Sequence, residues 1–417
     1  MSILTDLTRI WLTRSFKPFT FNDEYDEELR FSECENLGLY VHIPFCKSIC
    51  DFCPYCKVLY SKEAADRYVD ALIAEIRLVG NSLKEKKQVT SLYFGGGTPA
   101  LIAERIGEII DVLREYYVIT DGIGVELHPN NVTVETLELL KKAGVTRISI
   151  GIQSFQEKYQ KILGRKKIDV EQIRESLSLV SFETVSMDFI FALPDQTFDD
   201  LKSDVDIAFA NGANHIAIYP FIDFTFTESS VKPMKKKQKR KLLDEITEYC
   251  IGKNYPRSSI WTFSSEPDAR YSSMTRDNFL GFGCSATTLL KDQFKINTFS
   301  VDEYCKRIEQ NKLPTSLTIR FSLRQRMIYY LFWTAYSTKV DPKQFERFFG
   351  VSLKKMYGFE IGVAKLLGFI KERNGIYEMT LKGAFYYHYY ENFYTLSYID
   401  KMWGIMRKQA FPKELKL

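Results

Sequence analysis

The residues with the clearest chemical potential are three closely spaced cysteines, Cys46, Cys50 and Cys53, which form a C-x3-C-x2-C run. Cysteine thiolates are the usual protein ligands of iron–sulfur clusters. Three thiolates on a four-iron cluster would leave one iron open to a further ligand. Structural zinc sites usually have four ligands, often as two close pairs, so a run of three favours zinc only weakly. We therefore expect an iron–sulfur site, with zinc or a chance grouping as alternatives.

A fourth cysteine completes the segment Cys53-Pro-Tyr-Cys56, which has the spacing of a glutaredoxin-type redox pair. Such a pair belongs at the start of a helix in a thioredoxin fold, and the sequence shows no such pattern. We interpret Cys56 as a small structural side chain, with metal ligation or redox pairing as alternatives. His42, in the strand-like segment before the run, is interpreted as a structural histidine rather than a metal ligand.

Composition limits the class of protein. The 417 residues are 45% hydrophobic, carry a net charge of +4 and include eight cysteines. This length allows a main domain and a smaller second one, and the cysteines are too sparse for a disulfide scaffold. The sequence contains no apolar run of about 18 residues and no signal-peptide pattern, so it predicts no membrane span. We expect a cytoplasmic protein with reduced thiols.

Strand-like and helix-like segments alternate along the first 220 residues, which predicts an α/β protein with a parallel sheet covered by helices. The predicted strands are 39–43, 91–94, 123–127, 147–151, 185–190 and 214–219. The predicted helices are 61–80, 100–117, 133–143, 169–182 and 197–211. Six units are fewer than the eight of a closed barrel. We therefore predict a partial (βα)6 barrel with its active site at the carboxyl ends of the strands.

Polar and glycine-rich segments fall at the ends of these predicted strands, where they would converge on one rim. The rim segments are the cysteine run, Gly95-Gly-Gly-Thr-Pro99, Glu126, Gln153-Ser-Phe155, Asp188 and Tyr219-Pro220. Any one of them alone is a weak signal, because a glycine run can be only a turn. A buried acid such as Glu126 or Asp188 can likewise be purely structural. Their common position strengthens the prediction of a site.

These motifs, together with Leu163-Gly-Arg165 and Gly281-Phe-Gly-Cys-Ser-Ala286, resemble the radical S-adenosylmethionine (SAM) enzymes of the oxygen-independent coproporphyrinogen III oxidase group. The resemblance covers roughly residues 36–290. It implies that the three cysteines hold a [4Fe–4S] cluster and that SAM chelates the open iron. Reductive cleavage of SAM would then give a radical that abstracts hydrogen from the substrate, so that the cofactors carry the difficult chemistry.

The resemblance also implies roles for individual residues. Gly96, Gly97 and Thr98 would let the backbone approach the methionine part of SAM, since glycine permits close contact. The residues implied to contact SAM elsewhere are Glu126, Gln153, Arg165 and Asp188, and those implied to flank the cluster are Tyr40 and Phe52. It further implies a small-molecule substrate such as a tetrapyrrole and a low-potential electron donor such as flavodoxin or ferredoxin.

The sequence predicts four segments: an N-terminal arm (1–35), the core barrel (36–290), a linker (291–319) and a C-terminal winged-helix-like domain (320–417). DNA binding is a tempting function for a winged-helix-like domain, but a fold does not by itself determine function. We therefore expect no nucleic-acid partner. The aromatic segment 385–390 could line a substrate pocket or pack a core. The basic run 235–241 could attract an anion, but a solvated helix face is the simpler interpretation.

Three functions remain open. The first is oxidative decarboxylation of coproporphyrinogen III, with Arg257 and Arg276 as possible propionate ligands. The second is a two-SAM methylase or cyclopropanase, and the third is a haem chaperone. Residues 270–279 differ from the His-Asn-x-x-Tyr-Trp segment of the chaperone branch, which argues against the third. His128 also departs from the family, because Asn or Asp is common at its position.

Overall fold

A thirteen-stranded sheet organises the computed structural model, which describes residues 3–25, 28–229, 231–266 and 277–417. We number strands β1–β20 and helices α1–α14 along the chain. The order across the sheet is β12-β11-β10-β9-β8-β6-β2-β13-β14-β15-β16-β1-β20. None of the described helices is both long and apolar enough to cross a membrane.

Six neighbouring parallel strands lie side by side in this sheet, and they confirm the six predicted strands. They are β2 (Leu37–Ile43), β6 (Leu92–Gly96), β8 (Ile123–Leu127), β9 (Arg147–Gln153), β10 (Thr184–Phe191) and β11 (His215–Pro220). Their inward and outward faces are both largely buried, as expected of parallel strands covered by helices. The α/β prediction is therefore confirmed.

The covering helices are α2 (Lys62–Gly80), α3 (Ala103–Tyr116), α4 (Val134–Lys142), α5 (Glu157–Ile162), α6 (Val170–Leu179), α7 (Phe198–Ala210) and α8 (Lys236–Gly252). Several begin at side-chain caps that the sequence indicates. Ser61 accepts the N–H of Ala64 at the start of α2, and Thr197 forms a capping box with Asp200 at the start of α7. Such caps satisfy backbone donors that have no partner within the helix.

Residues 291–319 are not the linker that the sequence analysis assigns. They contain β15 (Gln293–Asn297), α9 (Val301–Glu309) and most of β16 (Thr315–Arg320), which continue the central sheet. The strands escape sequence prediction because Gln293, Lys295 and Asn297 are polar yet buried, which hides the usual apolar alternation. The remaining strands of this sheet are β1 (Thr20–Asn22), β12 (Thr262–Ser264), β13 (Asn278–Phe282), β14 (Thr287–Leu289) and β20 (Glu414–Lys416).

The N-terminal segment contains a helix that the sequence analysis does not predict, α1 (Ile3–Thr13). Its buried positions carry the polar residues Thr5, Arg9 and Thr13, while Leu7 and Trp11 are at least half exposed. This arrangement reverses the usual apolar inner face of a surface helix. The burial of α1 therefore depends on tertiary contacts that a sequence pattern does not reveal.

The C-terminal segment has the predicted helices and hairpin of a winged-helix-like arrangement, around a small core of its own built from Met327, Tyr330, Phe345 and Phe349. Its elements are α10 (Leu323–Tyr336), β17 (Lys339–Val340), α11 (Pro342–Phe349), α12 (Leu353–Leu366), β18 (Ile370–Arg373), β19 (Ile376–Met379), α13 (Leu381–Tyr394) and α14 (Asp400–Met406). Two further pairs of short parallel strands lie outside the main sheet: β3 (Phe45–Cys46) with β4 (Val58–Leu59), and β5 (Lys87–Val89) with β7 (Tyr117–Ile119).

Candidate functional site

The three cysteines lie on a loop that is closed at its base by β3 and β4. Val58 N–H donates to the Pro44 carbonyl at 2.7 Å, and Tyr60 N–H donates to the Cys46 carbonyl at 2.9 Å. The two short strands thereby hold both ends of the loop at the carboxyl end of β2. All three thiols are free and partly exposed, so they are accessible to a ligand from the barrel mouth.

The surroundings of Cys46 fit a residue that binds metal as a thiolate. The Thr98 hydroxyl donates to the Cys46 sulfur at 3.8 Å. Burial raises the pKa of the Cys46 thiol to about 11, and the nearby Cys53 and Cys50 thiols add to this effect. Metal binding would overcome this penalty, because a bound cation deprotonates a coordinating thiol.

The glycine loop after β6 packs directly on the strand that leads to the cysteines. Gly96 has φ +117°, and a Cβ there would lie 2.5 Å from the ring of His42. At Gly97 a Cβ would lie 2.6 Å from the Phe45 carbonyl oxygen, whereas the Gly97 N–H donates to the Ile43 carbonyl at 2.8 Å. The glycines are therefore required by contacts within the protein as well as by any ligand.

Two half-buried carboxyls, Glu126 on β8 and Asp188 on β10, face the same space. Burial raises the pKa of Glu126 to about 7, and the neighbouring Asp188 carboxyl raises it further. Burial also raises the pKa of Asp188 to about 6, although the Ser149 and Ser186 hydroxyls donate to it at 2.6 and 3.0 Å. This pair can accept hydrogen bonds from a ligand carrying hydroxyl or ammonium groups.

Arg165 links the cysteine loop to the end of β9. Its guanidinium donates to the Gly151 carbonyl and lies 5.7 Å from the centre of the Phe52 ring. Its buried Nε has no hydrogen-bond partner, which is costly unless a ligand supplies an acceptor. Gln153 ends the same strand with φ +70°, at a bulge between β9 and β10.

Tyr40 and His128 have local structural roles. The Tyr40 hydroxyl lies 3.2 Å from His42 Nδ1. His128 Nδ1 accepts the N–H of Asn130 at 3.2 Å and so begins the short 3-10 turn Pro129–Asn131. Burial lowers the pKa of His128 to about 4, and nearby Arg165 adds to the effect, so its imidazole is neutral. This cap accounts for the unusual histidine.

A cavity of about 1380 Å3 joins these elements to the C-terminal segment. Its wall includes every predicted site residue except Tyr40: Cys46, Cys50, Phe52, Cys53, Gly96, Gly97, Thr98, Glu126, Gln153, Arg165 and Asp188. The far wall is largely aromatic and comes from Trp261, α10 and α13. The volume exceeds the roughly 300–1,000 Å3 of typical small-molecule sites, so there is room for more than one ligand.

Sequence reasoning missed several residues of this wall, notably Arg9, Lys47 and Glu391. Glu391 lies in the aromatic C-terminal segment, and burial raises its pKa to about 8. The Trp261 indole donates to its carboxyl, while Glu391 Oε2 is buried without a partner. The sequence signal for Glu391 is that it is a single acidic residue among neighbouring tyrosines and phenylalanines.

Two other sequence hypotheses have structural outcomes. The Arg257 guanidinium donates to the main-chain carbonyls of Ser259 and Ile260 and does not line the cavity. Arg276 and most of the segment 270–279 lie outside the described residues. In the basic run, Lys236 and Arg240 lie 3.3 and 4.8 Å from the ring centres of Tyr389 and Phe385, so cation–π contacts hold part of it against α13.

Comparison with known proteins identifies this architecture. The family model of the radical SAM superfamily matches residues 40–208. Residues 40–208 therefore match a radical SAM domain. Its cofactors are a [4Fe–4S] cluster and SAM, as expected for that superfamily.

The chain resembles two kinds of curated relative. It is 26% identical over 337 residues to the heme chaperone HemW of Bacillus subtilis, which covers 76% of this chain and 88% of the relative. It is 24% identical over 410 residues to the oxygen-independent coproporphyrinogen III oxidase of Helicobacter pylori, covering 87% and 89% of the two chains. The fold matches coproporphyrinogen III oxidase (HemN) from Escherichia coli with a TM-score of 0.74 and 20% identity, over 92% of this chain and 96% of that one.

The residues present fit these cofactors. Three free thiols lie at one end of the cavity, the glycine loop exposes backbone beside them, and the unpartnered Arg165 Nε lies in the same wall. Thiolates are the ligands that an iron–sulfur cluster requires. The half-buried carboxyls of Glu126 and Asp188 lie in the same wall and could accept hydrogen bonds from polar groups of a ligand.

Proposed function

We propose that this radical SAM protein catalyses the oxidative decarboxylation of a coproporphyrinogen-type tetrapyrrole. The observation that carries the proposal is the single cavity that connects the cysteine loop to a large aromatic compartment. Such a compartment suits a macrocycle of pyrrole rings, because aromatic side chains favour stacked or edge contacts with ring systems. The names of the curated oxidases support this choice of substrate.

In this proposal the loop cysteines Cys46, Cys50 and Cys53 hold the cluster as thiolates. Thr98 donates its hydroxyl to the Cys46 sulfur, and hydrogen bonds to cluster sulfurs adjust the reduction potential. Phe52 and Arg165 cover the loop on the side that faces β9. Tyr40 supports the site indirectly, because its hydroxyl contacts the ring of His42.

The SAM-binding part of the proposal uses the barrel rim. Gly96 and Gly97 expose backbone groups to the methionine part, and Glu126 and Asp188 accept hydrogen bonds from ammonium and hydroxyl groups. Gln153 and Arg165 complete the wall and orient the cofactor. When bound, the cofactors would supply a carbon radical able to remove hydrogen from a propionate β-carbon. Loss of CO2 and transfer of one electron to an external one-electron acceptor would then leave a vinyl group.

The C-terminal segment closes the cavity and excludes water from this chemistry. The Asp400 carboxylate accepts both the N–H and the hydroxyl of Thr225 at 2.7 Å, which attaches the start of α14 to the loop after β11. Arg407 donates to the Pro54 carbonyl of the cysteine loop. A low-potential flavodoxin or ferredoxin would supply the electron that starts each turnover. The free thiols are consistent with a reducing compartment such as the cytoplasm.

The test is an anaerobic assay of the protein reconstituted with iron and sulfide, given SAM, a strong reductant and coproporphyrinogen III. We expect 5′-deoxyadenosine and a vinyl product that has lost CO2, both absent in Cys50→Ala and retained in Cys250→Ala, a buried thiol on α8. Methylated or cyclopropanated product would instead indicate the two-SAM reaction. Cluster and SAM binding without deoxyadenosine would contradict the proposal.

Haem binding is a second candidate, favoured by the likeness to curated heme chaperones at 26% and 27% identity over about three quarters of this chain. The same aromatic cavity could hold a porphyrin. Titration with haem separates this function from the first: a saturable Soret shift at one haem per chain would support it. If no shift develops while the decarboxylation assay gives product, the chaperone function is excluded.

A further inference from the structure

A second group of thiols lies behind the cysteine loop and outside the large cavity. Cys56, Cys284 and His42 are 5%, 0% and 3% exposed, and their ligand atoms all lie within 4.8 Å of one another. None of the three lines the cavity. The tertiary structure thus places Cys56 with Cys284 and His42, whereas the sequence indicates a small structural side chain, with metal ligation or redox pairing as alternatives.

The three side chains come from separate parts of the chain. His42 is on β2, Cys56 ends the cysteine loop, and Cys284 lies in the turn after β13. β13 pairs with β2, and β4 pairs with β3, which directly follows β2. These three segments therefore meet at one point. Tyr68 reaches the same point from α2, with its hydroxyl 3.7 Å from the Cys284 sulfur.

The chemistry of this group is that of a site for a thiophilic cation. Two thiolates and an imidazole, with an oxygen as fourth ligand, form a set that zinc accepts in tetrahedral geometry. Harder cations such as Mg²⁺ and Ca²⁺ prefer oxygen ligands and would not compete. Burial on every side excludes water, which suits a structural rather than a catalytic metal.

The orientation of His42 is compatible with ligation. As the ring stands, Nε2–H donates to the Cys56 carbonyl at 3.0 Å and Nδ1 accepts from the Tyr40 hydroxyl at 3.2 Å. Ligation through Nε2 would break the contact to the Cys56 carbonyl and move the ring proton to Nδ1, where it would donate to the Tyr40 hydroxyl, an outer contact of the kind that fixes metal-binding histidines. The Cys56 thiol, which now donates to the Phe299 carbonyl at 3.1 Å, would likewise lose its proton.

We propose that His42, Cys56 and Cys284 bind one Zn²⁺ ion, with the Tyr68 hydroxyl as the fourth ligand. Binding releases the two thiol protons and leaves the oxidation state of every atom unchanged. The ion joins the end of the cysteine loop to β2 and to the turn after β13. Zinc would thereby stabilise the loop that carries Cys46, Cys50 and Cys53 without taking part in their chemistry.

The experiment uses the full chain carrying Cys46→Ala, Cys50→Ala and Cys53→Ala, so that no iron–sulfur cluster or adventitious metal occupies the first site. The protein is loaded anaerobically with Zn²⁺ or Co²⁺, desalted and assayed for metal content. We expect one metal ion per chain and, with Co²⁺, thiolate charge-transfer absorption and tetrahedral d–d bands. Adding Cys284→Ala should weaken binding at least tenfold, whereas the matched change Cys250→Ala should leave it unaltered.

The chain with the three alanine substitutions is the parent protein of this test. Less than one metal ion per parent chain, or equal metal content with and without Cys284→Ala, would overturn the proposal. A Cys56–Cys284 disulfide found by mass spectrometry in the metal-exposed parent would do the same. Zinc X-ray absorption on the parent needs no further variant and so does not depend on the folding of Cys284→Ala. It should show two sulfur neighbours at about 2.3 Å and one nitrogen at about 2.0 Å, and an all-oxygen shell would refute the site.

Discussion

The Glu126 carboxylate accepts the main-chain N–H of Gly96 at 3.1 Å and thereby joins the third barrel strand to the glycine loop of the second. The contact fixes a loop whose other side already packs against His42 and Phe45. The same carboxyl lines the cavity beside Asp188. Glu126 therefore both holds the glycine loop in place and makes this part of the cavity wall polar. It thereby links the position of the glycine loop to the wall of the cavity.

Replacing Gly97 with alanine should disrupt the site without unfolding the barrel. The added Cβ would lie 2.6 Å from the Phe45 carbonyl oxygen and 2.9 Å from the Phe45 nitrogen, so backbone must shift. We expect weaker SAM binding and loss of reconstituted cluster, measured by calorimetry and iron content. The matched control is Gly107→Ala on α3, where the nearest atom is 3.7 Å away and alanine should stabilise the helix by about 0.5–1 kcal/mol. Unchanged SAM affinity in Gly97→Ala would contradict this account of the loop.

Arg165→Ala should weaken SAM binding at least tenfold, equivalent to about 1.4 kcal/mol. The change removes the contact to the Gly151 carbonyl, the guanidinium against Phe52 and the buried Nε that lacks a protein partner. Titration calorimetry of the reconstituted protein measures the effect. Lys166→Ala, at the exposed neighbouring position, provides the control and should bind SAM as the native protein does. Equal affinity in the two variants would remove Arg165 from the proposed cofactor wall.

Glu75→Ala should destabilise the fold by about 3 kcal/mol, since it leaves buried donors without an acceptor. The Glu75 carboxylate accepts hydrogen bonds from Gly283 N–H at 2.7 Å, the Tyr304 hydroxyl at 2.6 Å and Asn297 Nδ2 at 3.2 Å. It thus joins α2 to the turn after β13 and to the segment 291–319. Urea denaturation gives the free energy of unfolding, and the exposed Glu63→Ala on the same helix should change it by less than about 0.5 kcal/mol. A similar small change in Glu75→Ala would show that the network contributes little.

Glu391→Gln should alter the pH dependence of stability. The pKa of Glu391 is raised by burial to about 8, above the usual value of about 4.3 in an unfolded chain. The folded state therefore binds this proton more tightly, and the native protein loses stability as pH rises from about 4.3 to about 8. The neutral glutamine avoids this loss, so the variant should gain on the native protein by about 3–4 kcal/mol between about pH 5 and about pH 8.

Urea midpoints at the two pH values measure this difference. Glu248→Gln, on the exposed face of α8, is the control and should show no pH-dependent gain. A Glu391→Gln protein whose stability follows that of the native protein at both pH values would mean that the Glu391 carboxyl titrates normally.

The sequence by itself determined the six central strands and the positions of the rim motifs. Each strand is a short apolar segment followed by a helix, and α2, α4, α6 and α7 begin at side-chain caps. These signals act between residues close in the chain. The C-x3-C-x2-C spacing is equally local, so the iron–sulfur interpretation needed no coordinates. The α/β class followed from the alternation alone.

Only the tertiary structure decided which distant residues meet. The pairing of Cys56 with Cys284 depends on β13 returning to β2, a contact between residues more than two hundred positions apart. The buried polar residues of β15 find partners on other elements: Asn297 donates to Glu75 on α2, and Lys295 donates to the Thr315 hydroxyl on β16. Glu391 joins the cavity because α13 folds over the barrel mouth. Burial and long-range hydrogen bonding are properties of the folded chain, which no local pattern encodes.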